Sequence, residues 1–104
     1  MYRIAAALLS LLVAITLAST VALTDAANGE KLARRWCADC HVVAADQRQG
    51  NTQAAPFSAI AKTPGIDAAR IALYLLLPHP KMPDMSLSRS EAADLAVYIS
   101  RQGK

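Results

Sequence analysis

The sequence predicts an all-α domain. Three observations carry that reading. Apolar residues recur at helical spacing in the segments after residue 28; Ser88 and Glu91 form a capping box ahead of the last of these segments; and no stretch alternates apolar and polar residues in the manner of a strand.

The chain has 104 residues, one domain at most. Its opening stands apart. Arg3 precedes an almost unbroken apolar run from Ile4 to Leu23, followed by three candidate cleavage contexts, Thr20-x-Ala22, Thr24-x-Ala26 and Asp25-x-Ala27. Residues 1–27 therefore read as a secretory signal peptide. At about 20 residues the run is also long enough to stay as a membrane anchor, and that is the alternative. Residues 28–104 form the folding part, which either reading places in an oxidising exterior compartment, the periplasm of a bacterium.

A first helix is expected from Asn28 or Gly29 to about Ala38. Leu32, Ala33, Trp36 and Cys37 share one face, and Lys31, Arg34 and Arg35 turn outward. The polar stretch 44–56 reads as a loop. A short helix comes next, around Phe57 to Lys62, reset by Pro64-Gly65. A stripe of Ile66, Ala69, Leu73 and Leu76 predicts a helix over 66–77, stopped by Pro78. Three prolines then stiffen the segment PHPKMPDM. The closing helix starts after Ser88, carries the stripe Ala92, Leu95, Ala96 and Ile99, and ends near Gln102 with Gly103 just beyond.

Two features bound the function. With Arg3 set aside, ten basic residues face eight acidic ones, a net +2 that is too mild and too dispersed to grip nucleic acid. The folding part is also short of large core residues, and chains of this size need a partner, a staple or a cofactor to complete them. The two cysteines make a poor staple: Cys37 and Cys40 would close only a tiny loop.

Those cysteines lie in Trp36-Cys-Ala-Asp-Cys-His41, and Cys-x-x-Cys-His is the attachment signature of c-type haem. Two thiols at that spacing reach the two vinyl groups on one porphyrin edge, and the next residue falls under the iron. Cys37 and Cys40 are then the covalent anchors and His41 an axial ligand. A thioredoxin-like thiol pair would need a βαβ unit beside it, and structural zinc a second pair of closely spaced ligands; the sequence offers neither. Haem would also supply the apolar body that the core lacks. For the opposite face of the iron, His79, Met82 and Met85 all sit in the proline-stiffened segment, and spacing does not choose among them.

The sequence resembles class I cytochrome c, in its small bacterial single-haem branch. GEKLARRWCADCHVV resembles the family's first helix running into the haem motif, and LPHPKMPDMSLSRSEAADLAVYI its axial methionine segment and closing helix. The resemblance covers residues 28–102. It implies the cytochrome c fold, with the terminal helices packed together: Gly29 at their crossing, with Leu95 and Tyr98 across from it. It also implies Met82 as the sixth ligand, Met85 packing near the haem edge, and a Pro56 carbonyl that accepts the Nδ1 proton of His41. Two departures stand out. Ala33 occupies the family's aromatic position, with Trp36 beside the motif instead, and the family's propionate-binding tryptophan is missing.

The function implied by the resemblance is that of a one-electron carrier with His41/Met82 ligation and no open iron position, rather than an enzyme. The same domain could serve as the cytochrome subunit of a dehydrogenase. Its partners would be a redox protein donor and acceptor, with Lys81 placed for docking, and the membrane only if the N-terminal segment is retained. No acid–base pair or nucleophile constellation competes with this reading.

Overall fold

A computed structural model describes residues 23–51, 53–77 and 81–104. Four helices occur among them, in the order α1 (Ala26–Trp36), α2 (Phe57–Ala61), α3 (Ala68–Leu76) and α4 (Arg89–Arg101), and no strand. The segment read as a signal peptide or anchor lies, as far as Ala22, outside the described residues. So does His79. Among the described residues no helix is long and apolar enough to cross a membrane.

Helix α1 begins earlier than its apolar stripe suggests, because Asp25 caps it. The Asp25 carboxylate accepts the Asn28 N–H at 3.0 Å, satisfying one of the donors that a helix start leaves open. The stripe is partly as expected. Ala33 and Cys37 are buried, but Trp36 is exposed on the flank, where the Arg35 guanidinium stacks 4.8 Å from its ring centre. Ala33, where the family commonly has an aromatic, is fully buried.

The frame of the domain is the crossing of α1 on α4. A Cβ on Gly29 would collide with the Asp94 carbonyl oxygen and stand 2.8 Å from the Tyr98 Cβ, so only glycine lets the two backbones approach this closely. Tyr98 is thus across from Gly29 as expected, while the nearest backbone is that of Asp94. Leu95 is fully buried in the adjoining core. The Asp94 side chain adds a polar clasp: one carboxylate oxygen accepts the Asp25 N–H at 2.7 Å, the other the Asn28 amide at 2.9 Å.

Helix α4 matches its sequence closely. Ser88 Oγ accepts the Glu91 N–H at 3.1 Å, and Ala92, Leu95, Ala96 and Ile99 are all buried. Helix α3 does not. Asp67 caps it by accepting the Arg70 N–H at 2.8 Å, which starts it later than Ile66. Its buried face is Ile71, with Ala68, Ala72 and Leu75 packed against the core, whereas Leu73 and Leu76 point outward. The expected stripe misplaced the helix by about one residue's rotation, 100°, because nearly every position in IALYLLL is apolar and periodicity has nothing to grip. The helix ends as expected: Leu77, the residue before Pro78, is extended with ψ 139°.

Candidate haem site

The motif occupies the turn that unwinds from the C-terminus of α1. Cys37 is the C-cap, and its carbonyl accepts both the Cys40 N–H at 3.1 Å and the His41 N–H at 2.8 Å. This tight turn carries the chain from one cysteine to the other and on to His41. Cys37 is buried and Cys40 exposed, and no disulfide joins them. Burial first, and the neighbouring Cys40 second, push the Cys37 thiol up to about 11. A thiol held neutral in this way lacks the low pKa of a redox-active cysteine.

His41 is half-buried. Its Nδ1 lies 2.5 Å from the Ala55 carbonyl oxygen; a carbonyl can only accept, so Nδ1 carries the proton. Nε2 is thereby left with a lone pair for a metal, and the bond orients the ring and raises its basicity. The acceptor is Ala55, and not Pro56 as the resemblance implied. The Pro56 carbonyl is already engaged as the start of α2, where it accepts the N–H groups of Ala59 and Ile60 at 3.0 and 3.1 Å. The Phe57 ring stands 5.4 Å from the imidazole, centre to centre, and props it from the core side.

Cys37, His41 and Met82 line one cavity of about 440 Å³, a volume in the range that holds a cofactor. Its other walls are mainly apolar, with Phe57, Ile60, Ile71 and Leu75 prominent among them. Besides His41, polar groups in the lining come from Gln53, Tyr74 and Lys81. A mainly apolar space bordered by an imidazole, a thioether and the first cysteine fits a haem; Cys40, exposed on the turn, is not part of its lining. Both Met82 and Met85 are half-buried, but Met85 is not part of the cavity lining. Asp39 and Asp84 are not at the cavity; Asp84 accepts the Ser86 N–H at 2.8 Å, closing a turn in which Ser86 adopts φ 50°. Among the described residues no three His, Cys, Asp or Glu side chains converge as a cage for a bare metal ion.

The loop 44–56 holds residues that sequence reasoning passed over. The Gln47 side chain accepts the Val43 N–H at 2.9 Å, and its NH₂ group lies 2.9 Å from the Ala38 carbonyl and 2.8 Å from that of His41. The Asn51 N–H donates to the Cys40 carbonyl at 2.6 Å. A Cβ on Gly50 would press to 2.6 Å from that same carbonyl oxygen. As far as its residues are described, this loop is a strap across the back of the motif. The signal available in the sequence was one glycine flanked by glutamine and asparagine, which also describes an ordinary solvated loop.

The helical frame and the cysteine–histidine turn together define the class: a c-type cytochrome domain. The sequence is similar to cytochrome c-552 of Bradyrhizobium diazoefficiens, with 46% identity over 90 residues, covering 86% of this chain and 86% of that protein. No family model matches the chain, and no solved structure does. On that relationship the chain belongs to the class I cytochrome c family of small bacterial single-haem proteins, which are electron carriers and not enzymes.

Proposed function

We propose that the protein is a periplasmic one-electron carrier, with one haem bound through thioethers at Cys37 and Cys40 and held axially by His41 and Met82. The observation that supports this most directly is that His41, with Nε2 left available by the Ala55 bond, shares one apolar cavity with Cys37 and Met82. When bound, haem supplies an iron that gains or loses one electron without needing an open coordination position. Each residue then has a defined task. Cys37 and Cys40 fasten the porphyrin edge. His41 offers a nitrogen whose direction the Ala55 carbonyl fixes, and Met82 a soft sulfur that favours the reduced state. Phe57, Ile60 and Ile71 keep water away from the metal.

A redox protein donor and acceptor are the proposed partners, meeting the cavity margin beside Lys81, whose charge suits an acidic docking face. Export by way of residues 1–27 agrees with the covalent attachment chemistry and belongs to the same reading. The test is direct. Acidified acetone should leave the colour with the protein, and intact mass should show one haem per chain. The oxidised protein should also show the weak far-red band of methionine-ligated haem. Two unmodified thiols, or a disulfide between them, would overturn the proposal.

A further inference from the structure

We propose that Gln47 is the positioning residue for the proximal ligand: its amide locks the main chain on both sides of His41 and so fixes where the imidazole points. The inference rests on His41 being an axial ligand. Three holds converge on this residue. Its backbone N–H is bound to the Cys37 carbonyl at 2.8 Å and its ring to the Ala55 carbonyl at 2.5 Å. Its own carbonyl is bound at 2.8 Å by the Gln47 amide. The first two come from backbone that any sequence supplies. The third comes from a side chain, and it does more than hold one atom.

The Gln47 amide has a donor end and an acceptor end, and both are used. Its oxygen takes the Val43 N–H at 2.9 Å, just after His41, while its nitrogen meets the carbonyls of Ala38, before the histidine, and of His41 itself. The same nitrogen lies 2.9 Å from the Gln49 carbonyl, two residues along the strap that leads to Ala55, so its two N–H groups are shared among three carbonyls, one of them in a three-centre bond. Gln47 therefore ties the root of the imidazole to the strap that carries the acceptor for its ring nitrogen. Gly50 seats that strap against the Cys40 and His41 backbone, where no larger residue fits. Neither a carboxylate nor an apolar side chain of similar length can replace the amide, because the site needs a donor facing carbonyls and an acceptor facing an N–H.

The haem-bearing protein tests this in two ways. In the wild type, the Gln47 side-chain N–H protons should exchange with solvent about tenfold or more slowly than those of Gln49, which is exposed and outside the cavity lining. In Gln47→Glu and Gln47→Leu, nuclear magnetic resonance of the oxidised protein should show displaced haem-methyl and His41 ring signals. The His41 ring N–H should exchange about tenfold faster, while the far-red methionine band persists. Asp25→Ala, which weakens the distant start of α1, supplies the purely structural comparison and should leave the His41 signals in place. Unmoved His41 signals in both Gln47 variants would overturn the proposal. So would Gln47 protons that exchange as fast as those of Gln49, a measurement that needs no variant to mature. Absence of covalent haem by mass would overturn the functional reading and this one together, whereas fast Gln47 exchange in a haem-bearing chain overturns this one alone.

Discussion

The Tyr98 hydroxyl donates a 2.7 Å hydrogen bond to the Val43 carbonyl, fifty-five positions earlier in the chain and two beyond His41. The closing helix is thereby fastened to the haem-binding turn through a buried contact, and the Tyr98 ring stands edge-on to Phe57, which in turn props the imidazole.

Tyr98→Phe should keep the ring and lose the bond, leaving a buried carbonyl unsatisfied at a cost of about 1–3 kcal/mol. Denaturant titration measures it. Burial is the main cause that raises the Tyr98 pKa above the ordinary tyrosine value. The advantage of wild type over Tyr98→Phe is therefore full below about pH 10, the unfolded value, and should be lost as pH rises through the higher folded value. An advantage that grew above about pH 10 would contradict this account.

Gly29→Ala tests the helix crossing. Alanine is the better helix former by about 1 kcal/mol, so an uncrowded site would gain stability. Here the added methyl meets the Asp94 carbonyl and the Tyr98 Cβ, and the expected result is a net loss of about 1–3 kcal/mol as the helices part. A neutral or stabilised variant would show that the helices cross less tightly than this contact requires.

Met82→Ala should abolish the far-red band, lower the potential, and admit carbon monoxide or water to the iron. Met85→Ala should keep the band, since Met85 does not line the cavity and its loss changes packing alone. The reverse pattern would move the ligand by three residues. Loss of neither, with a bis-histidine spectrum, would point to His79, which lies outside the described residues.

The exported protein should begin between Leu23 and Asn28, which N-terminal sequencing reads directly; a chain that still carries Met1 or Tyr2 in the membrane fraction would favour the anchor. Asp25→Ala should cost about 0.5–2 kcal/mol through the lost cap at the start of α1. Thermal melting of the holoprotein checks it.

How much of this was legible in the sequence varied with how sharply each residue type is constrained. Cys37, Cys40 and His41 are scarce residues at a fixed spacing, and the Ser88–Glu91 cap with its four-residue apolar stripe allows one phase only. Helix α3 was legible as a helix and illegible in rotation, since its apolar residues leave no polar face to set the phase. Trp36 fell on the stripe by spacing yet sits outside, stacked under the Arg35 guanidinium. Gln47 and Ala55 could not be picked out at all. Their roles depend on where a loop comes to rest, and hydrogen bonds to backbone leave no pattern in side-chain chemistry.

The clasp between Asp94 and the start of α1 sets an order in time as well as in space. The partner that Gly29, Asp25 and Asn28 require lies in α4, so α1 has no helix to pack against until α4 has been delivered. Contacts of such long sequence separation need both ends of the domain at hand and carry a larger loop-closure cost than local ones. Through that interval the core to which Cys37, Leu95 and Ile99 all belong is incomplete. An export route that threads the protein amino end first would thus present both thiols before the fold that closes over them can exist. The interval for attachment is written into the position of the last helix.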